Sequence, residues 1–148
     1  VGEELKLNLG FTPHFYGPYS TMIADALESL VSADFVGEEK NITSQGRVVY
    51  LYQLMEDGKI LAEEMKNKYP EIYRKVKTLI DKCWDYIRLD PEILSWMAKV
   101  HYLLKSKGKP MSIEEVEETG KRIGWELSEA NVKAAIKLLE ALGYVKHL

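Results

Sequence analysis

The chain has 148 residues and a formal net charge of −3, and 46% of its residues are hydrophobic while 29% are charged. This composition excludes collagen-like, low-complexity and disordered chains. A single cysteine, Cys83, excludes an internal disulfide and a cysteine-rich zinc module. No apolar run approaches the roughly 20 residues of a membrane span. We therefore expect a soluble, cytoplasmic protein without membrane attachment, and its abundant lysine and glutamate favour a heat-adapted source.

The first 68 residues are predicted to form one domain. Aromatic, glycine and proline residues dominate positions 10–19, where Pro13 and Pro18 exclude a helix, so a loop is expected there. Ser20 is a typical N-cap for the helix that follows. Helical or alternating apolar spacing then predicts four elements: a helix over 20–32, strands over 35–38 and 47–54, and a helix over 59–68.

Residues 69–90 are predicted to connect this domain to the next through a helix over 70–88. The apolar residues of this helix repeat with steps of 4, 3, 4 and 3, which is typical of a coiled-coil seam. The seam predicts a homodimer, and its burial against helix 91–107 within a monomer is the alternative. Its members are Ile72, Val76, Leu79, Cys83 and Tyr86.

Residues 91–148 are predicted to form a second, mainly helical domain. Asp90 and Pro91 are a strong helix start signal, and Ser112 with Glu115 forms a capping-box pattern. The expected elements are helices over 91–107, 113–123 and 127–142, and a strand over 144–147.

Both halves place a helix-turn-helix before a strand, which is the order of elements in a winged helix. In that fold the second helix of the turn enters the major groove of DNA. The predicted fold class is therefore mainly α with small antiparallel β-hairpins (α+β), arranged as tandem winged-helix-like units.

The segment HFYGPYS at His14–Ser20, with ALESLVSADFV at Ala26–Val36, resembles a run found in small winged-helix proteins. YwgA-like, PadR-like and phage-associated antitoxin-like proteins look similar there, and the resemblance continues through YLYQLMEDGKILAEEM at Tyr50–Met65. The family has threonine where this chain has Met55, so Asp57 is the expected N-cap of the next helix. The resemblance implies that further N-terminal helices precede Val1, and that dimers form through helices after the wing.

No sequence pattern supports an enzyme, a metal or a cofactor. The chain contains no glycine-rich dinucleotide or phosphate-binding motif and no zinc-protease motif. Its three histidines, His14, His101 and His147, have no common ligand spacing. Cys83 lies on the apolar seam, so a buried thiol is favoured over a nucleophile.

The charges form three zones that bear on a nucleic-acid partner. Residues 1–65 carry four basic and eleven acidic side chains, residues 66–109 eleven basic and five acidic, and residues 110–148 five basic and seven acidic. A basic band between acidic ends fits a surface for a polyanion, and equally fits attraction between the zones of one fold. Aromatic residues at 11–19 suggest a stacking platform, with packing beneath the first domain as the alternative.

The predicted function is a DNA-binding transcriptional regulator that contacts double-stranded DNA. The alternative is a winged-helix protein–protein interaction module or antitoxin-like adaptor without direct DNA binding, because helix 20–32 carries acids and no base. A surface ion pair with Glu129 is the alternative role of Lys133. The candidate DNA-binding residues are Tyr19, Ser20, Thr21, Lys40, Arg47, Asn131, Lys133 and Lys137.

Overall fold

The computed structural model describes residues 8–42, 46, 48–88 and 90–145. The protein is mainly helical with two separate two-stranded antiparallel sheets, in agreement with the predicted α+β class. Its elements are β1 (Thr12–His14), β2 (Gly17–Tyr19), α1 (Thr21–Ser32), β3 (Val36–Ile42), β4 (Val48–Leu54), α2 (Glu56–Lys68), α3 (Pro70–Ile87), α4 (Pro91–Lys107), α5 (Ile113–Arg122) and α6 (Glu129–Ala141).

The chain divides into two compact units whose boundaries differ from the predicted domains. Within the described residues, unit 1 comprises 8–10 and 20–76, and unit 2 comprises 11–19 and 77–145. Helix α3 is shared between the units, and the larger segment of unit 1, 20–76, lies between the two segments of unit 2 in the sequence. No helix among the described residues is long and apolar enough to cross a membrane.

Unit 1 contains α1, the β3–β4 hairpin, α2 and the start of α3. The Ser20 hydroxyl caps α1 by accepting a hydrogen bond from the amide of Ile23, and it donates to the carbonyl of Leu9. Strand β3 pairs antiparallel with β4 from Val36 opposite Leu54 to Ile42 opposite Val48. Strand β3 is longer than the predicted 35–38, because part of the expected polar loop continues the pairing with β4.

Helix α2 starts three residues earlier than predicted, and its first turn contains Gly58. Met55 is the N-cap and makes no side-chain cap bond, so the expected cap at Asp57 is wrong. A Cβ atom on Gly58 would lie 1.9 Å from the carbonyl oxygen of Phe35. The glycine therefore permits a close approach of two backbones.

Unit 1 has a very small interior. Of its described residues only Ser20, Val36 and Gly58 are buried, and no residue of α1 is buried. All seven residues of β4 are exposed. The favourable free energy of folding comes mainly from apolar burial, so unit 1 obtains little of it from its own residues.

Unit 2 packs α4, α5 and α6 around a compact apolar core. Trp125, in the turn between α5 and α6, is the largest fully buried side chain. Capping boxes start both later helices, with Ser112 and Glu115 at α5 and Ser128 and Asn131 at α6. The buried core consists of Val100, Leu103, Val116, Trp125, Leu127, Val132, Ala135 and Leu139.

The segment predicted as an aromatic loop is instead the β1–β2 hairpin of unit 2. Pro13 lies opposite Pro18, so neither strand needs a proline N–H at that pair. The hairpin is fixed to the helices by two side chains. The Trp125 indole donates to the carbonyl of His14, and the Ser95 hydroxyl donates to the carbonyl of Tyr16.

The strand predicted from residue 144 is not formed at Tyr144 and Val145. Gly143 adopts a φ of 79°, and the amide of Tyr144 returns to the carbonyl of Leu139. This is a Schellman-type helix end, which turns the backbone back onto α6 and leaves Tyr144 packed against the core. The rest of the predicted strand, 146–148, lies outside the described residues.

Candidate nucleic-acid interface

Helices α5 and α6 of unit 2 are joined by a short turn, and α6 carries the candidate residues Asn131, Lys133 and Lys137. Gly124 has a φ of 82°, and the amide of Trp125 donates to the carbonyl of Gly120. The side chains of Trp125 and Leu127, which belong to this turn, are buried in the core of unit 2. The orientation of α6 is therefore fixed by the core of unit 2.

The predicted division of α6 into an inner and an outer side is present. Val132 and Leu139 are buried, and Ile136 is half-buried against the same core. Lys133 and Lys137 lie four residues apart on the outer side and are exposed. A helix with this arrangement presents both ammonium groups to solvent, where a phosphate backbone is accessible to them.

Acidic neighbours weaken the positive potential of this side. The Lys133 ammonium lies 2.5 Å from the Glu129 carboxylate, which raises the pKa of Lys133 chiefly through a hydrogen bond and also by charge attraction. This is the ion pair that the sequence offered as the alternative role of Lys133. The pKa of Glu114 is lowered, mainly by its own amide and the Ser112 side chain, with a smaller effect of the Lys133 charge. Lys133 is thus charged but already paired.

Asn131 has an internal role at the start of α6. Its side-chain oxygen accepts hydrogen bonds from the amide and the hydroxyl of Ser128, at 3.0 Å and 2.8 Å. The side chain is half-buried. Its carbonyl oxygen is therefore used by the capping box, and only its amide nitrogen remains for a base or a phosphate.

The candidates at the start of α1 are not one group in the structure. Tyr19 belongs to β2 of unit 2, whereas Ser20 and Thr21 belong to unit 1. Thr21 is exposed, but Ser20 is 4% exposed and its hydroxyl already bonds to Leu9 and Ile23. Of these three, Tyr19 and Thr21 keep side chains that an external ligand could reach.

The predicted wing is described only in part. Lys40 lies within β3 rather than in a loop, is exposed, and stands opposite Tyr50. Arg47 lies outside the described residues. Strand β3 therefore contributes Lys40 to the candidate interface, at a position set by its pairing with β4.

Some residues of the predicted dimer seam of α3 are buried in the structure, and others are exposed. Cys83 is buried, as the sequence favoured, and with Leu79 it packs on Leu138 and Leu142 of α6. Ile72 and Tyr86 are 45% and 60% exposed, while Val76 is half-buried. Part of the seam is therefore buried inside the chain, against α6 and against Ile93, Leu94 and Met97 of α4. The predicted alternative, burial against helix 91–107, describes only part of this contact, and dimerisation through the remaining seam residues stays a prediction.

Two features near the β1–β2 hairpin were missed by the sequence analysis. Lys99 is half-buried with its ammonium 5.9 Å from the centre of the Trp125 ring, and burial lowers the pKa of this lysine. Phe15 and Tyr16, at the hairpin turn, are exposed and meet edge to face. The composition of residues 11–19 left a stacking platform and packing beneath the first domain as alternatives, and no pattern within this segment indicated a hairpin bonded to Ser95 of α4 and to Trp125.

The comparisons with known proteins assign no family to the chain. No protein-family model matches it, and neither the curated proteins nor the solved structures contain a significant match. Among residues 8–42, 46, 48–88 and 90–145, no group of three or more histidine, cysteine, aspartate and glutamate side chains is placed to hold a metal ion.

Proposed function

We propose that the protein is a DNA-binding transcriptional regulator in which α6 of unit 2 enters a groove of double-stranded DNA. The observation that supports this most is the outer side of α6, where Lys133 and Lys137 lie four residues apart on a helix fixed by a buried core. Ala130, one turn before Lys133, is exposed, and its small side chain allows close approach of the helix to a groove wall. Lys40 of unit 1 is a further phosphate contact.

The two lysines are expected to supply affinity rather than sequence preference. Ammonium groups that neutralise phosphates release counterions, and each contact contributes about 0.9 to the slope of log affinity against log salt. The Lys133–Glu129 pair is exposed and is worth less than about 1 kcal/mol, so Lys133 can exchange its partner for a phosphate.

The test is a salt-dependent gel shift of the full chain with mixed-sequence duplex DNA. Replacing both lysines, Lys133→Glu and Lys137→Glu, is expected to reduce affinity at least tenfold while leaving the melting temperature unchanged. Lys77→Glu with Lys82→Glu is the matched control. It has the same charge change on α3, the helix that packs on α6 through the buried Leu138 and Leu142.

The gel shifts of the two variants have three informative outcomes. Loss in the α6 variant alone supports the proposal. Equal loss in both variants assigns binding to net charge and contradicts a specific role of α6. Unchanged binding in the α6 variant removes this helix from the interface.

A protein-interaction module is the second candidate, and unit 1 favours it. Helix α1 carries Asp25 and Glu28 and exposes Met22, Ile23 and Leu30. An acidic helix with exposed apolar side chains suits a protein surface better than a phosphate backbone. If the wild-type chain fails to shift DNA at low salt, this candidate replaces the first.

A further inference from the structure

Strand β4 is an unusual edge for a soluble protein. It pairs with β3 on one side, and no other strand among the described residues pairs with it on the other. Its apolar and aromatic residues are between 38% and 52% exposed. An isolated two-stranded hairpin is only marginally stable in water, so this hairpin needs a further strand or a covering element.

The two edges of the hairpin differ sharply in charge. Strand β3 contains Glu38, Glu39 and Lys40, whereas β4, with the sequence VVYLYQL, contains no charged residue. Charged side chains protect a sheet edge from pairing with another chain. The β3 edge has that protection and the β4 edge does not.

We propose that a second copy of this chain pairs with β4 edge to edge, so that two hairpins form one four-stranded antiparallel sheet. A two-fold axis through Leu51 sets the register. Leu51 then lies opposite Leu51 of the second copy, and Tyr50 lies opposite Tyr52 of the second copy. The remaining pairs join Val49 to Gln53 and Val48 to Leu54.

This register makes β4 complementary to itself. Aromatic and β-branched cross-strand pairs each contribute roughly 0.2–1 kcal/mol, and no pair sets like charges against each other. The same operation on β3 centres on Glu39 and would place that carboxylate opposite its own copy. A two-fold interface requires such self-complementarity, and of the two edges only β4 has it.

The occupant is a second copy rather than α3 of the same chain or a foreign strand. In α3, Leu79 and Cys83 already pack on Leu138 and Leu142. A strand of another protein would need side chains complementary to those of β4, whereas the β4 strand of a second copy has them because β4 is complementary to itself. The new sheet also gives unit 1 the apolar burial that its own residues do not provide.

The proposal is tested by the mass of the full chain in solution. Light scattering at micromolar concentration is expected to give about twice 17.0 kDa. A mass of one copy overturns the proposal, and a mass that keeps growing with concentration contradicts a closed pair. Neither result bears on DNA binding by α6, which the gel shift measures separately.

The register is tested with a charge at its centre. Leu51 stands opposite Glu39 within the hairpin, so Leu51→Lys gives the isolated chain a favourable cross-strand pair. The same change places two lysines opposite each other in the dimer, and we expect the mass to fall to one copy. The matched control is Ile42→Lys on β3, at a residue that is 71% exposed, and it should leave the dimer intact.

Mixing two variants gives the most specific result. Leu51→Lys and Leu51→Glu should each be monomeric, and an equal mixture should restore a mass of two copies. Rescue requires residue 51 of one copy to lie beside residue 51 of the other. A dimer that survives Leu51→Lys, or a mixture that stays monomeric, contradicts this register.

Discussion

The indole nitrogen of Trp125 donates a 2.6 Å hydrogen bond to the carbonyl oxygen of His14, which lies 111 residues earlier in the chain. Trp125 is 1% exposed, and its ring also meets Tyr102 edge to face at 5.6 Å. One side chain therefore holds the β1–β2 hairpin on unit 2 and fills the turn of the helix-turn-helix.

Removing this hydrogen bond should cost stability. Trp125→Phe keeps an aromatic ring but removes a part-buried hydrogen bond, worth about 0.5–1.5 kcal/mol, and leaves part of the buried indole volume unfilled. Urea unfolding of the full chain measures the loss. Trp84→Phe is the control, because Trp84 is 49% exposed, and its effect should stay within about 0.5 kcal/mol. Equal losses in the two variants would contradict the anchoring role of Trp125.

At Gly58 we expect a change from glycine to alanine to destabilise the protein, although the same change usually stabilises a helix. In an exposed helix interior, alanine is better than glycine by about 1 kcal/mol. Here the added methyl group would overlap the Phe35 carbonyl, so Gly58→Ala should lower the free energy of unfolding by about 1–3 kcal/mol. Asn67→Ala, at an exposed residue of the same helix, should cause no loss. A Gly58→Ala protein that melts as high as the wild type would show that α2 does not approach Phe35 so closely.

Cys83 should be unreactive in the folded protein and should make stability depend on alkaline pH. Burial raises the pKa of this thiol above its unfolded value, which is about 8.5. The stabilising contribution is complete below the unfolded pKa and is lost as pH rises through the folded pKa. A disulfide reagent at pH 8 should label the native thiol at least a hundredfold more slowly than the urea-unfolded thiol.

The alkaline effect can be isolated by difference. From pH 7 to pH 10 the melting temperature of the wild type should fall more than that of Cys83→Ala, because the variant has no thiol to titrate. Parallel curves, or rapid labelling of the native protein, would place Cys83 at the surface rather than beside Leu138 and Leu142.

Local signals predicted the helices well. Ser20, Asp90, Ser112 and Ser128 all cap helices, because their side chains satisfy amides only two or three residues away. The inner and outer sides of α6 follow from helical spacing alone. The exposed lysines of the candidate interface could therefore be predicted from the sequence, although the assignment of Tyr19 to one unit and Ser20 to the other could not.

Contacts between residues far apart in the sequence determine the parts of the fold that local sequence patterns did not predict. Residues 12–19 form a hairpin because Trp125 and Ser95 bind its carbonyls, and neither partner is near in sequence. Gly58 lies beside the Phe35 carbonyl, an approach that a Cβ atom would prevent, and the amide of Tyr144 returns to the carbonyl of Leu139. Each of these features depends on a contact with a residue that the periodicity of the sequence does not identify.

The position of segment 20–76 between the two segments of unit 2 has a consequence for synthesis on the ribosome. The β1–β2 hairpin leaves the exit tunnel long before its anchor, because 111 residues separate His14 from Trp125. At roughly 5–20 residues per second, that interval is on the order of 5–20 s. During it, the aromatic β1–β2 hairpin is outside the tunnel without Trp125, which anchors it in the complete chain. The nascent chain therefore passes through a period in which chaperone binding competes directly with completion of unit 2.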